Sequence, residues 1–135
     1  MRYPVFLQKD EYSDFGVVVP DLPGCYSAGS TEEEAISNAE EAILTHIEGL
    51  LIDNDPVPRP SSIDEIRDSF DHENPVLWAM VSVDLAKLSD RSRRVNISLP
   101  ERILSKIDSC AEKEGSTRSG FLVSAVLEYI SRRGE

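Results

Sequence analysis

The segment that most constrains this chain is the seven-residue run Arg93–Leu99, read as Arg-Arg-Val-Asn-Ile-Ser-Leu and followed by Pro100. Its apolar and polar residues alternate, which is the two-residue period of a β-strand. One face of the predicted strand holds Val95, Ile97 and Leu99, and the other holds Arg94, Asn96 and Ser98. The segment is therefore predicted to present hydrogen-bonding side chains on one side and an apolar surface on the other.

Two amphipathic helices are predicted after this strand. Pro100 suits the first turn of a helix, and Gly115 is a natural stop at its C-terminal end. The apolar face of this first helix is predicted to be Ile103, Leu104, Ile107 and Ala111. The hydroxyls of the segment Ser116–Ser119 can cap a second helix. Its predicted apolar face is Phe121, Leu122, Ala125, Val126, Tyr129 and Ile130.

A strand and two helices of about forty residues are near the lower limit for burying a self-sufficient core, and a single strand has unpaired backbone groups on both edges. This unit is therefore expected to need a partner. If two copies paired their strands antiparallel, the apolar faces would close over four helices. Arg94, Asn96 and Ser98 of both copies would then project from a two-stranded ribbon, which fits the major groove of DNA.

Taken together, the alternating strand, the proline and the Gly-Ser-Thr-Arg-Ser turn resemble the ribbon-helix-helix family of DNA-binding dimers. The chemistry of the side chains suits base reading, since Arg recognises guanine, Asn recognises adenine and Ser accepts either. Thr117, Arg118 and Ser119 lie where the N-terminus of the second helix could bind DNA phosphate. Two plainer interpretations remain open: the polar face is an ordinary solvated strand surface, and the turn only caps the helix.

The charge of the chain is divided unevenly. Residues 1–92 contain 19 acidic and 6 basic side chains, a net charge of −13, whereas residues 93–135 contain 6 acidic and 8 basic ones, a net charge of +2. The segment proposed to bind nucleic acid is therefore slightly basic, although the whole chain has a net charge of −11. The acidic part is expected either to face a different kind of partner or to serve as a solvated surface.

The first part of the chain predicts a small layered domain. Strands are predicted at residues 3–9, 15–19, 25–28 and 76–83, with the first strand central and paired to the second in a hairpin. A long helix is predicted to begin near residues 30–31, with Ser30/Glu33 or Thr31/Glu34 at capping-box spacing, and residues 63–70 predict a further helical turn or two. The fold class is therefore α+β, with a small α/β sandwich at residues 1–85, a linker at 86–92 and the ribbon-helix-helix unit at 93–135.

The string Pro20–Ala35, Pro-Asp-Leu-Pro-Gly-Cys-Tyr-Ser-Ala-Gly-Ser-Thr-Glu-Glu-Glu-Ala, resembles the signature of the HicB antitoxin family. Ser30 stands where that family often has aspartate, and both residues can cap a helix. The resemblance implies a partly ribonuclease-H-like N-terminal domain that binds and silences a small mRNA-cleaving toxin, HicA. It also implies that the C-terminal tail represses the shared operon. The chain is expected to form a homodimer through this C-terminal domain, and a tetramer is the alternative.

An enzymatic or metal-binding role is weighed against this resemblance. The candidate carboxylates are Asp10, Glu11, Asp14 and Asp21, and the only histidines are His46 and His72. All four carboxylates fall at predicted turns, where Asp commonly makes local hydrogen bonds. We therefore expect no catalytic site, no metal and no cofactor. The alternative is a ribbon-helix-helix repressor whose N-terminal domain senses a small molecule or a metal.

The cellular setting is predicted from what the sequence shows of targeting and cysteines. The chain has no long apolar run and no apolar signal region after its start, so a cytoplasmic protein is expected. Cys25 and Cys110 are far apart and lack the spacing of a metal or redox motif, so both are predicted to be free thiols.

Overall fold

The computed structural model describes residues 1–9, 13–68, 77–88 and 92–133. Its first part contains strands β1 (Arg2–Lys9), β2 (Phe15–Val18) and β3 (Tyr26–Gly29), helices α1 (Glu32–Ile52) and α2 (Ile63–Arg67), strand β4 (Leu77–Ser82) and a 3₁₀ helix, Leu85–Lys87. Two further helices follow, α3 (Glu101–Lys113) and α4 (Arg118–Arg132). The four strands and the long helix predicted for the first part are confirmed. Val76, the first residue of the predicted fourth strand, lies outside the described residues.

The strands form one antiparallel sheet in the order β3-β2-β1-β4. β1 is central, as predicted, and pairs through Phe6 with Val18 of β2 on one side and with Trp78 of β4 on the other. Because side chains alternate across a strand, Tyr3, Val5 and Leu7 of β1 share the face that packs on the core. Phe6 points to the opposite face, where its ring meets that of Trp78 edge to face at 5.2 Å.

The turn between β2 and β3 has the conformation that its residues favour. Gly24 adopts a positive φ of 87°, which glycine takes without a steric penalty. The Cys25 amide donates to the Leu22 carbonyl at 2.9 Å, and the Val19 amide donates to the Cys25 carbonyl at 3.3 Å. These bonds fold Leu22 into the core with no exposed surface. The turn thereby directs β3 back along β2.

Helix α1 covers one face of the sheet. Of the two caps predicted from the sequence, Thr31 is the N-cap, with its Oγ1 accepting from the Glu34 amide at 3.0 Å. The helix buries four residues completely, namely Ala35, Ala39, Ile43 and Ile47, and Ile36 and Leu50 pack beside them. Glycine at position 29 lets the first turn of α1 approach β3, because a Cβ there would lie 2.8 Å from the Ala35 Cα.

The proline-rich segment after α1 is bound to the sheet by polar contacts. Tyr3 is fully buried, and its hydroxyl donates to the Pro58 carbonyl at 2.7 Å. Burial, with a contribution from the nearby Asp21 charge, raises the pKa of Tyr3 well above its ordinary value. Asp21 accepts from both the amide and the hydroxyl of Ser61, at 2.7 and 2.8 Å. The helix predicted at residues 63–70 is a short one, α2, and residues 69–70 lie outside the described residues.

The junction between the predicted first domain and the linker is packed against the core. Leu85 is 2% exposed and belongs to the core cluster, and Leu88 contacts that cluster from its edge. The cluster also contacts Val123 and Leu127 of α4. One apolar core is therefore shared by the sheet, α1 and the C-terminal helix. Cys25 is buried and Cys110 is exposed, and both are free thiols, as predicted. None of the helices in the described part of the chain has the length and apolar character needed to cross a membrane.

Candidate functional site

The predicted DNA-reading strand, Arg93–Leu99, does not form a strand within the single chain. Residues 92–100 have no regular secondary structure, and they pair with none of the described strands. The physical reason is that a strand needs a neighbour for its backbone groups, and this chain places none of those strands beside the segment. Arg94, Asn96 and Ser98, the predicted base-reading residues, are all exposed.

The apolar side of the same segment is also uncovered. Val95 is 75% exposed and Ile97 is 62% exposed, whereas Leu99 is half-buried. Burying a Val or Ile side chain is worth roughly 1.5–3 kcal/mol relative to leaving it in water. Val95 and Ile97 lie two residues apart, so their side chains share one face. They form an apolar surface that the described part of the chain leaves uncovered.

Helix α3 leaves most of its predicted apolar face in contact with solvent. Ala111 is buried, Leu104 and Ile107 are half-buried, and Ile103 is 45% exposed. The helix ends as predicted, with Gly115 at a φ of 65° and the Ser116 amide donating to the Ala111 carbonyl at 2.8 Å. The predicted helix is thus confirmed, but the single chain covers only part of its apolar face.

Helix α4 has two apolar faces, of which the sequence predicts one. The predicted face is exposed or half-buried, with Val126 at 55%, Tyr129 at 60% and Ile130 at 36% exposure. The side that packs on the core contains Val123 and Leu127 instead. The predicted face, which consists of Phe121, Leu122, Ala125, Val126, Tyr129 and Ile130, was expected to be covered by a second copy, and its burial in a dimer stays a prediction. Apolar residues on nearly all sides of this helix are the signal that could have indicated two partners.

Polar contacts secure α4 to the first part of the chain. The Ser131 hydroxyl donates to the Val57 carbonyl at 2.7 Å, and Arg59 forms an ion pair with Glu128 at 3.3 Å. Ser124, on the same helix, is also buried, and its hydroxyl has no hydrogen-bond partner among the described residues. These contacts orient α4 so that its Val126 and Tyr129 side points away from the shared core.

The predicted phosphate-anchoring turn forms the start of α4. Thr117 is the N-cap, and its Oγ1 accepts from the Gly120 amide at 3.0 Å, so the capping prediction is confirmed. The same hydroxyl donates to Oδ2 of Asp84 at 3.3 Å. Ser119 is exposed. The Asp84 contact could not be predicted from the sequence, because the two partners lie 33 residues apart.

Arg118 is bound to a carboxylate of the neighbouring helix. Its Nε and Nη2 donate to the two oxygens of Asp108 at 2.8 and 2.9 Å, which is a bidentate arrangement. These hydrogen bonds hold the pKa of Asp108 below its ordinary value and raise the pKa of Arg118. Both side chains are about half exposed, so the pair remains accessible to competing ions.

Asp14 and Asp21, the two candidate carboxylates within the described residues, do not form a metal site. Asp21 binds the Ser61 backbone and hydroxyl, a structural role at the turn, and Asp14 is exposed. Asp10 and Glu11 lie outside the described residues, as does His72. His46 is a half-buried residue of α1. Within the described ranges, no three His, Cys, Asp or Glu side chains converge in a way that could hold a metal ion.

Comparison with known proteins identifies the family to which the chain belongs. The family described as HicB-like antitoxin of bacterial toxin-antitoxin system matches residues 3–126. The chain belongs to the HicB-like antitoxin family. The match covers the sheet, α1 and most of α4, so it includes both the acidic first part and the C-terminal helices.

Similar proteins support the assignment over most of the chain. The crystal structure of antitoxin HicB from Burkholderia pseudomallei is 40% identical, with a TM-score of 0.72 over 96% of this chain and 98% of that one. An uncharacterised 14.9 kDa protein of Haemophilus phage HP1 is 37% identical over 90% of this chain and 92% of its own length. A structure described as a HicA3 and HicB3 toxin-antitoxin complex is 35% identical, with a TM-score of 0.52 over 62% of this chain and 99% of the matched chain.

Proposed function

We propose that this chain is the antitoxin of a type II toxin-antitoxin system with two activities. Residues 1–85, with a partly ribonuclease-H-like fold, bind and neutralise a HicA-like mRNA-cleaving toxin. Residues 93–135 form a ribbon-helix-helix homodimer that binds operator DNA and represses the chain's own operon. Membership of the HicB-like antitoxin family supports this function over that of a metabolite- or metal-sensing repressor.

Two observations support toxin binding by the first part of the chain. The HicA3–HicB3 complex contains a chain that aligns with 62% of this one over nearly its whole length, so an antitoxin unit of about this size is found with its toxin there. Residues 1–92 have a net charge of −13, and the first turn of α1 contains Glu32, Glu33 and Glu34. An acidic surface attracts a basic RNA-binding protein and competes with its negatively charged substrate.

The observation that most supports the DNA-binding dimer is the uncovered apolar surface after residue 92. Val95 and Ile97 are 75% and 62% exposed on a segment with no strand partner in the described chain, and Ile103 of α3 and Val126 and Tyr129 of α4 are exposed as well. Antiparallel pairing with the same segment of a second copy would satisfy the backbone groups and bury these side chains together. The strand predicted from the sequence would form only in that dimer.

The same pairing leaves the polar face of the segment available to DNA. Alternation puts Arg94, Asn96 and Ser98 on the side opposite Val95 and Ile97, so both copies would present them to base edges. Thr117, Arg118 and Ser119 would contact the phosphate backbone and fix the orientation of the ribbon. Arg118 would then exchange its Asp108 partner for phosphate, which an exposed ion pair permits.

Co-expression with the product of the adjacent gene tests the toxin-binding activity. We expect that product to arrest growth alone, to cause no arrest when this chain is present, and to co-purify with it. The Ile97→Lys variant is a control: it should lose dimer formation and operator binding but keep toxin neutralisation. If the adjacent product neither binds the chain nor has its toxicity relieved, the antitoxin function is refuted. If the wild type binds but Ile97→Lys does not, the assignment of toxin binding to the first part is refuted.

A further inference from the structure

The N-terminus of α4, which we propose as a phosphate anchor, already contacts a carboxylate of this chain. Asp84 follows the buried Val83 directly after β4, so its backbone is held by the core. Its Oδ2 accepts from the Thr117 hydroxyl at 3.3 Å, and its Oδ1 accepts from the Ala86 amide at 3.0 Å. The carboxylate thus joins the end of the sheet to the first turn of α4.

Gly120 shows how closely the carboxylate approaches this turn. A Cβ at that position would overlap with Asp84 Oδ1 and would lie 3.1 Å from the Asp84 Cγ. Gly120 is buried, and the absence of its side chain makes room for the acid. Because the free amides of a helix N-terminus attract negative charge, the carboxylate has the same preference for this position as a phosphate group.

The other groups of the anchoring turn are similarly engaged. Arg118 donates both of its hydrogen bonds to Asp108, and the Thr117 hydroxyl donates to Asp84. Ser119 is exposed, and α4 as a whole is held on the core by Leu127 and by the Ser131–Val57 hydrogen bond. The docked arrangement therefore sets two carboxylates of this chain against incoming phosphate.

We propose that Asp84 is an autoinhibitory residue for DNA binding: while α4 is docked on the core, the Asp84 carboxylate competes with operator phosphate for the N-terminus of α4. The inference rests on the proposed DNA-binding function and adds a regulatory contact to it. A partner that prefers the docked arrangement weakens DNA binding, and a partner that prefers a released arrangement strengthens it. The acidic first part of the chain thus weakens DNA binding by the C-terminal part through the Asp84–Thr117 contact.

The test is titration of the full-length chain against a labelled duplex containing the promoter region upstream of its own gene, and against a scrambled duplex. Asp84→Asn removes the charge and keeps the shape of the side chain. Asp84→Ser is a second variant whose hydroxyl can still cap the 3₁₀ helix at Ala86. Asp55→Asn is the matched control, because it removes one exposed negative charge two residues before Val57, which contacts the C-terminal end of α4 rather than its N-terminus.

We expect both Asp84 variants to bind more tightly than the Asp55→Asn control, by roughly fivefold per subunit, which corresponds to the upper part of the usual charge–helix interaction. The gain should appear on promoter and scrambled DNA alike, because phosphate contacts are independent of sequence. Binding by the Asp84 variants alone, with none by the wild type, would also support the proposal. Equal affinities of the Asp84 and Asp55 variants would overturn it while leaving DNA binding intact. Failure of every variant and of the wild type to bind promoter DNA would overturn the DNA-binding function itself.

Discussion

Replacement of Gly29 by alanine tests how the β3–α1 junction is built. Gly29 is buried at the end of β3, and an added Cβ would overlap with the Ala35 amide nitrogen and lie 2.8 Å from both the Ala35 Cα and the Glu34 carbonyl carbon. Ordinary carbon–carbon contacts are about 3.5–4.0 Å, so the new methyl group would be roughly 0.7 Å too close to helix backbone. The helix cannot yield easily, because Ala35 and Ala39 are fully buried against the sheet.

The magnitude follows from what has to move. Overpacking a tight interior usually costs about 1–3 kcal/mol. We expect a cost at the upper end of this range, because the clash is with backbone atoms. Two hydrogen bonds also hold β3 against α1: the Asn38 side chain donates to the Ala28 carbonyl at 2.8 Å, and the Ser27 hydroxyl donates to the Ala35 carbonyl at 3.2 Å. With a urea slope of about 2 kcal/mol per molar, a loss of about 3 kcal/mol lowers the unfolding midpoint by about 1.5 M.

Gly49→Ala is the matched control for this urea measurement. Gly49 lies within α1, and a Cβ there would meet nothing within 4 Å. Since alanine is a better helix former than glycine by up to about 1 kcal/mol, this change should raise the midpoint by up to about 0.5 M. If Gly29→Ala is as stable as the wild type, or if both changes shift the midpoint in the same direction, the close approach of α1 to β3 is not as described.

Three further predictions concern the C-terminal helices and the segment before them. Ile97→Lys should convert the dimer to a monomer in sedimentation velocity, while Ser98→Lys, on the opposite face of the predicted ribbon, should remain dimeric; two dimers would contradict the pairing. Leu127→Ala should lower the free energy of unfolding by about 2 kcal/mol in urea titration, because Leu127 packs on the core. Val126→Ala should change the free energy of unfolding by less than about 0.5 kcal/mol at concentrations where the chain is monomeric, because Val126 is exposed there. Ser124→Ala should stabilise the chain by about 1 kcal/mol, because the buried hydroxyl has no partner among the described residues; a loss of stability would indicate a partner.

The first part of the fold could be predicted because its signals are local. The strand predicted at residues 3–9 and the capping residues predicted for α1 each depend on a few neighbouring residues, and both are confirmed. The sequence left two caps open for α1, and the structure selects Thr31, with the Ser30 hydroxyl donating to the Glu34 side chain at 2.7 Å instead. Local rules could name the elements, but they could not decide between neighbouring hydroxyls.

The position of α4 could not be predicted, because it depends on contacts between distant residues. Val123 and Leu127 reach a core formed by residues before position 90, and Asp84 meets Thr117 across 33 residues. Periodicity shows that a helix face is apolar, but it does not identify the surface that covers it. The strand predicted at residues 93–99 is not formed in the single chain for a related reason, since its hydrogen bonds require a neighbour that the described strands do not supply.

The central claim, that residues 93–99 read DNA as a paired ribbon, is tested most directly with Asn96→Ala. We would titrate full-length wild type and variant against promoter and scrambled duplexes at several salt concentrations. Removing the side-chain amide should reduce discrimination between the two duplexes by about 1–3 kcal/mol per copy, because it no longer pairs with a base edge. The slope of log affinity against log salt should hardly change, because no charge is lost. If Asn96→Ala keeps the full wild-type preference for promoter DNA, the ribbon does not read the sequence, and the central claim is wrong.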